Sequence, residues 1–373
     1  MQTEKSSLRE LAGLFLKLGL TSFGGPVAHI AMMQKEVVEK RNWMDHAHFM
    51  DLIGATNIIP GPNSTEMAIH IGHERAGWKG LLVAGSCFIL PAVMITGVIA
   101  YFYQLYGQLP EVRPFIYGLQ PAVIAIILSA VFPLAKHSLK NIQLAMLGLL
   151  SLAASLAGFN EVIVMFGAGL IMTSIYLAGK QKTGLRNLVP LVLINIPLFS
   201  QTNMRLFWVF LKIGAILYGS GYVLFAFLDS ELVANGILSR HQLIDAIAVG
   251  QFTPGPLFSS VTFIGWQING WQGAITATIA VFLPSFVFVV ILNPLVPRLR
   301  KSTVFSSFLD GVNIASVAII FTVCIHFCEA TFSDWRQILI AVISLIIVFK
   351  FRKVNTVFLI IGGSALSYFL SLF

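Results

Sequence analysis

The chain has 373 residues, of which 57% are hydrophobic and 11% charged, and its mean hydropathy is +0.83. Because a water-soluble globule typically has about 25% charged residues, this composition excludes one and predicts a polytopic membrane protein in a lipid bilayer. The formal charge of +8 does not indicate nucleic acid as a partner, since basic residues of membrane proteins collect in loops on one side. The three cysteines lie in apolar segments without the spacing of a metal site, so no metal or other cofactor is predicted.

Apolar segments follow one another along the chain, and an internal repeat relates its two halves. They lie near 10–32, 47–70, 78–103, 115–135, 142–158 and 160–178, and then near 206–228, 241–262, 271–296, 308–328, 337–350 and 354–372. The run Phe15–Gly19 recurs as Phe210–Gly214, and Gly77-Trp78 as Gly270-Trp271. We therefore predict an all-α polytopic membrane protein of about 12–13 transmembrane segments. Its parts are a first repeat at 1–186, a linker at 187–204 and a second repeat at 205–373.

The distribution of Lys and Arg orients the two halves relative to each other. If the short apolar linker crosses the membrane, 16 basic residues fall on one side and 6 on the other, whereas without the crossing the count is 11 against 11. Cytoplasmic loops collect Lys and Arg, so the uneven count favours inverted repeats with a cytoplasmic N-terminus. The apolar part of the linker is short for a span, which leaves its crossing open.

Each half carries a Pro-Gly-Pro break inside an apolar run, Asn57–Pro62 in the first half and Gln251–Pro256 in the second. Unsatisfied backbone at membrane depth costs several kcal/mol, so it survives only where protein covers it or where it lines a watery cavity. Pro62 suits the first turn of a helix, and the break predicts a half-helix whose N-terminus points into the protein and favours an anion. Broken helices in inverted repeats are typical of secondary transporters, with the site near the bilayer midplane.

Other residues near the breaks are candidates for contact with an anion. Lys17 and its repeat Lys212 lie in apolar segments, where a lysine is usually functional, although snorkelling to the interface explains each equally well. The glycine turns that follow offer backbone amides, or only close helix packing. The predicted substrate site comprises Lys17, Ser22, Gly24, Gly25, Asn57, Pro60, Gly61, Pro62, Asn63, Ser64, Lys212, Gly219, Ser220, Gly221, Gln251, Pro254, Gly255 and Pro256.

Several acidic residues and histidines have a different pattern. Glu66 and His70 follow the first break four residues apart on one helix face and have no counterpart in the second repeat. This spacing suits helix pairing or capping, or a proton relay, which we carry forward as the functional hypothesis. A metal site is the weaker alternative, because no third strong ligand is nearby in sequence. Asp51 and Asp245 recur near the start of their segments, where a carboxylate suits a helix N-terminus.

The run Ile71–Gly80, the Asn57–Pro62 break, the Phe15–Gly19 start and Phe88–Ala92 together resemble the chromate ion transporter family, in its long-chain, two-domain form. The resemblance covers essentially the whole chain and implies two homologous halves of opposite orientation. It also implies export of chromate, a tetrahedral dianion, across a bacterial plasma membrane, which gives chromate resistance.

Three alternatives to chromate export stay open. Sulfate has the same charge and shape as chromate, so uptake or exchange of sulfate or another oxyanion is the nearest of them. A membrane-embedded metal enzyme using Glu66, His70 and His73 is the second, and an anion channel is the third. No enzyme activity is expected, and the oligomeric state, a homodimer included, is left open.

Overall fold

The computed structural model describes residues 7–179, 202–292, 295–351 and 354–372, which form helices and turns and contain no strand. The helices of the first half are α1 (Leu8–Thr21), α2 (Gly25–Gln34) with a π-helix at Lys35–Lys40, α3 (His46–Thr56), α4 (Asn63–Tyr106), α5 (Arg113–Ser138), α6 (Ile142–Leu156) and α7 (Glu161–Gly179). Those of the second half are α8 (Thr202–Ile216), α9 (Val223–Leu228) with a π-helix at Asp229–Val233, α10 (Arg240–Phe252), a 3-10 turn at Leu257–Ser259, α11 (Ser260–Leu292), α12 (Val296–Lys301), α13 (Thr303–Thr331), α14 (Trp335–Lys350) and α15 (Thr356–Leu370). Most of the linker predicted at 187–204 lies outside the described residues, so its crossing stays a prediction.

The first two helices fold back on each other. Lys17 on α1 forms an ion pair with Glu36, which follows α2, with 3.1 Å from Nζ to Oε1. A continuous helix would separate residues 19 positions apart by about 28 Å, so the chain must reverse between them. The reversal is at Gly24 and Gly25, whose φ angles are 100° and 83°. The apolar segment predicted near 10–32 is therefore a hairpin with its tip inside the protein.

The segment predicted near 47–70 is a second hairpin. His48 at the start of α3 lies 3.6 Å from Glu74, measured from Nε2 to Oε2, although the two residues are 26 positions apart. In addition, the Arg75 guanidinium donates to the carbonyl of Trp43, at 3.3 Å, just before α3 begins. Thus α3 and residues 63–75 run in opposite directions and meet at the Pro-Gly-Pro break.

Helix α4 reverses once more at Ala76 and Gly77, whose backbone angles are not helical. Gly77 has φ 59°, a conformation that glycine adopts without strain. Across this turn Gly72 and Gly80 lie in direct backbone contact, which a straight helix forbids. We call residues 63–75 the first arm of α4 and 78–106 its second arm. At about 1.5 Å per residue, only the second arm is long enough to cross a bilayer.

The second half repeats this arrangement. Lys212 pairs with Glu231, again 19 residues on, with 2.5 Å from Nζ to Oε1. Helix α11 has non-helical angles at Asn269 and Gly270, so it too consists of a first arm (260–268) and a second arm (271–292). The turn of α11 lies beside the start of α8, because the side-chain amide of Asn269 donates to Asn203 Oδ1 at 2.6 Å. Each half therefore contains two hairpins followed by long helices.

The tips of the hairpins meet in the centre of the protein through two equivalent hydrogen bonds. The Gly61 N–H donates to the carbonyl of Leu217, and the Gly255 N–H donates to the carbonyl of Ser22, both at 2.8 Å. Gly61 corresponds to Gly255 in the repeat, and Ser22 corresponds to Leu217. Each half therefore supplies the carbonyl that accepts a hydrogen bond from the backbone N–H at the break of the other half. This exchange is what pseudo-two-fold symmetry between the halves produces, and it confirms two homologous halves with breaks at Pro-Gly-Pro.

The halves run in opposite directions. Gln104, near the end of the second arm of α4, accepts a hydrogen bond at 2.7 Å from Trp266, near the turn of α11. At the other end, Leu81 packs in one cluster with Val289. We call face A the end of the molecule that carries the α4 turn, and face B the end that carries the α11 turn. Within the described residues five helical stretches are long and apolar enough to cross a membrane, namely α4, α5, α7, Leu257–Leu292 and α13.

The helix caps differ from the sequence prediction for two carboxylates. Asp45 caps α3 by accepting from the His48 N–H at 2.7 Å, and Ser239 caps α10 with a capping box. Asp51 and Asp245 are instead the sixth residues of these helices. Their prediction as N-terminal residues is wrong, because the apolar runs start several residues after the helices themselves.

Candidate functional site

A polar cavity of about 350 Å³ lies between the first break, the glycine turn of the second half and the ends of α5 and α13. It is open at face A, where His137 and Ser306 are exposed. Its polar lining consists of Thr56, Asn57, Asn63, His137, Ser138, Ser220, Ser306, Asp310, Asn313 and Ser316. The cavity therefore combines both halves, with hydroxyl and amide groups converging from each.

The first break supplies the inner wall of this cavity. Asn63 is the first residue of the α4 helix, and its side-chain amide donates to Asn57 Oδ1 at 3.0 Å. Pro62, the N-cap residue, has no side chain that can satisfy the first backbone N–H groups, so those of Asn63 and Ser64 lack an acceptor within the helix. These N–H groups carry the positive end of the helix dipole. An anion is the ligand that such an arrangement stabilises.

The outer wall is a stripe of polar residues on α13 that the sequence reasoning missed. Ser306, Asp310 and Asn313 recur at intervals of four and three, which places them on one helix face. That spacing inside an apolar segment was the available signal. Asp310 is neutralised by Lys140, with 2.6 Å from Nζ to Oδ1. The stripe therefore presents donors to the cavity without a net negative charge.

The two repeated lysines do not line this cavity. Glu36 binds Lys17, Lys40 and Arg41 together, and these contacts, Lys40 first, lower the pKa of its carboxyl to about 2 despite its partial burial. Lys212 has the equivalent contact with Glu231. Because each ammonium already has a carboxylate, the geometry favours snorkelling toward the face over direct contact with an anion. That the lysines contact substrate stays a prediction.

Glu66 and His70 lie behind the first break on the first arm of α4. Glu66 is fully buried, and neither carboxylate oxygen has a hydrogen-bond partner of good geometry within the described residues. Its nearest neighbours include Gly61 and the hydroxyl of Ser285 from the other half. His70 is buried too, and its Nε2 has no partner in the same part of the chain. A carboxyl group that is buried at the junction of two halves, with no ion-pair partner among the described residues, is suited to binding a proton.

The second break is packed rather than open. Gln251, Pro254, Gly255 and Pro256 are buried and do not line the cavity. A Cβ at Gly255 would meet Ala92 at 2.9 Å, so the first half fills the space next to this break. Among the predicted site residues the structure thus brings Asn57, Asn63, Gly219 and Ser220 together at the cavity. The others surround the hairpin tips (Ser22, Gly24, Gly25, Pro60, Gly61, Pro62, Ser64, Gly221).

The described ranges contain no group of three or more His, Cys, Asp or Glu side chains placed to hold one metal ion. Cys87, Cys324 and Cys328 are free thiols.

These features define a polytopic membrane protein of two homologous, oppositely directed halves with a polar cavity between them. The sequence model of the chromate transporter family matches residues 9–173 and 204–368, once in each half. The chain belongs to this family. The two matched ranges coincide with the two structural repeats.

Relatives of similar length support the same assignment. The chain is 30% identical to a probable chromate transport protein of Synechococcus elongatus, covering 93% of this chain and 91% of the relative. It is also 30% identical to a chromate transport protein of Cupriavidus metallidurans, covering 96% of this chain and 92% of the relative. A chromate transport protein of Pseudomonas aeruginosa is 27% identical, covering 87% of this chain and 82% of the relative. No solved structure matches the chain.

Proposed function

We propose that the protein is a secondary transporter of chromate and that the cavity at face A binds the dianion. The observation that carries this proposal is the half-helix N-terminus at Asn63, which faces a polar cavity shared by both halves. Membership of the chromate transporter family supports chromate as the substrate. Sulfate remains the alternative, because charge and shape are common to the two anions.

The binding mode follows from the lining. The amides of Asn57, Asn63 and Asn313 and the hydroxyl of Ser220 offer neutral donors, and the helix N-terminus adds backbone N–H groups. Neutral donors hold a dianion less tightly than an ammonium at contact distance, which permits release on the far side. A carrier needs this balance, since a site that binds too tightly does not turn over.

Face A is the cytoplasmic face in this proposal. The hairpin that returns to face A moves Lys35, Lys40 and Arg41 to the larger group of basic residues, while Arg240 joins the smaller group. The count of 16 against 6 becomes 18 against 4. Because cytoplasmic loops collect Lys and Arg, the N-terminus lies inside and the cavity opens to the cytoplasm of a bacterial cell. A cavity that loads from the cytoplasm supports export.

Glu66 is the proposed proton carrier. It lies beside Gly61, whose N–H bonds the other half, so a change in charge at Glu66 acts on the contact between the halves. An ionised carboxylate buried without a partner costs several kcal/mol, so proton binding stabilises the packing seen here. Loss of that proton favours rearrangement of the tips. His70, one turn further along the same helix, is the group that receives the proton from Glu66.

The test of the binding site is uptake of labelled chromate into proteoliposomes by Asn63→Ala, with Gln251→Ala as the matched control from the second break. A hydrogen bond to a charged group contributes about 1.5–3 kcal/mol, so Asn63→Ala should raise the half-saturating chromate concentration roughly 10- to 100-fold. Gln251→Ala should change it less than about threefold, because Gln251 lies outside the cavity. Equal effects of the two variants would contradict the cavity as the binding site. Excess sulfate that abolishes uptake would show a shared oxyanion site.

A further inference from the structure

A buried polar cluster joins the two halves near face B. Asp245 on α10 accepts hydrogen bonds from the hydroxyl of Tyr103, at 2.6 Å, and from the side-chain amide of Gln120, at 2.9 Å. The Oε1 of Gln120 lies 3.1 Å from His241 Nδ1. Tyr103 and Gln120 belong to the first half, whereas Asp245 and His241 belong to the second. These bonds therefore close the seam between the halves, about 9 Å below face B.

The repeat places an equivalent set of positions near face A. Asp51 corresponds to Asp245, Asn313 to Gln120 and Ala47 to His241. Asp51 is exposed, and Asn313 lines the open cavity. The same positions of the repeat are therefore hydrogen-bonded to one another at face B, whereas at face A Asn313 faces the open cavity and Asp51 is exposed.

We propose that these two sets are alternating gates: the Asp245 cluster is the closed gate at face B, and Asp51 with Asn313 forms the closed gate at face A in the other state. Inverted repeats can exchange conformations, so that each half adopts the arrangement now seen in its partner. In the exchanged state the Asn313 amide donates to Asp51, while Gln120 parts from Asp245. The proposal deepens the transport function and rests on it.

The gates differ in strength. At face B the carboxylate has a phenol and an amide as donors, whereas at face A the position equivalent to Tyr103 is Val296, whose side chain carries no donor. Because the Tyr103 phenol adds a hydrogen bond that Val296 cannot make, it favours closure at face B and therefore the state open to face A. This is the state that the structure presents. Replacing Tyr103 by Phe removes this hydrogen bond without disturbing the apolar packing of the ring.

The gates are tested by paired cysteines that keep both carboxylates. In a background with the three native cysteines replaced by Ser, one variant carries Gln120→Cys with His241→Cys, and its repeat equivalent carries Ala47→Cys with Asn313→Cys. A short bifunctional methanethiosulfonate is added to proteoliposomes, and linking is read on gels. We expect the face B pair, which keeps the Tyr103 donor, to link in a larger fraction of resting molecules than the face A pair. Adding Tyr103→Phe should raise face A linking at least twofold.

The link at face B should stop chromate uptake, and a reductant should restore the uptake of the same variant. The face A pair is read by linking alone, because Asn313 lines the proposed binding cavity. In a variant with all four cysteines, no molecule should carry both links. The proposal is overturned if both links form in one molecule, or if protein fully linked at face B transports chromate at the unlinked rate. The gels detect linking without any transport assay. Whether one link excludes the other therefore decides the proposal about the gates even if chromate is not the substrate.

Discussion

The fold-back of α4 can be tested by replacing Gly72 with Ala. A Cβ at this position overlaps the carbonyl of Gly80 and lies 2.6 Å from the Cβ of Ala84, both on the second arm. Backbone cannot move aside as the end of a flexible side chain can, so overpacking should cost about 1–3 kcal/mol. In a straight helix residues 72 and 80 would be about 12 Å apart, and the same change would cost nothing.

Gly97→Ala is the matched control, because Gly97 lies on the same helix with nothing within 4 Å of an added Cβ. Both variants gain the helix propensity of alanine, about 0.8–1 kcal/mol, so their difference isolates the overlap. We expect Gly97→Ala to be as stable as the parent protein or more stable, and Gly72→Ala to be less stable than Gly97→Ala by about 1–3 kcal/mol. Denaturation in detergent, followed by tryptophan fluorescence, measures this. Equal stability of the two variants would refute the hairpin.

Three further predictions concern charged residues. Glu36→Gln leaves three basic side chains without their carboxylate and should destabilise the protein by about 1–3 kcal/mol. Glu231→Gln frees only one basic side chain and should cost less. Denaturation in detergent compares the stabilities of the two variants. Because the pKa of Glu36 is lowered from 4.5 to about 2 in the folded protein, its contribution is present above pH 4.5 and is lost as the pH falls toward 2. Stability measured over this range should fall less in Glu36→Gln. Lys140→Ala leaves the Asp310 charge in the cavity and should raise the half-saturating chromate concentration about tenfold, an effect that Asp310→Asn should reverse in uptake assays.

The repeat and the two breaks could be predicted from the sequence, because proline and glycine interrupt an apolar run in a way that lipid does not tolerate. The hairpins could not be predicted from hydropathy. A run of about 20 apolar residues has the same composition whether it crosses the bilayer or turns halfway and returns. The signal that distinguishes the two is the repeated pairing of Lys17 with Glu36 and of Lys212 with Glu231, which requires the chain to reverse.

The candidate site was predictable only in part. Four residues of the breaks and glycine turns that the sequence placed in the site also line the cavity, namely Asn57, Asn63, Gly219 and Ser220. The polar stripe on α13 was missed, since it contacts the first break only through tertiary packing of the other half. Symmetry also placed Gln251 in the predicted site as the equivalent of Asn57, whereas Asn57 lines the cavity and Gln251 does not. The two breaks differ in this structure, because the second is packed whereas the first borders the cavity.

The central claim is that the protein carries chromate in exchange for protons through Glu66. The most direct measurement is movement of labelled chromate into proteoliposomes under an imposed pH gradient, for the parent protein and for Glu66→Gln. We predict that the gradient drives accumulation in the parent and that Glu66→Gln abolishes this drive while still permitting chromate to exchange for chromate. Gradient-driven accumulation by Glu66→Gln at the parent rate would contradict the account.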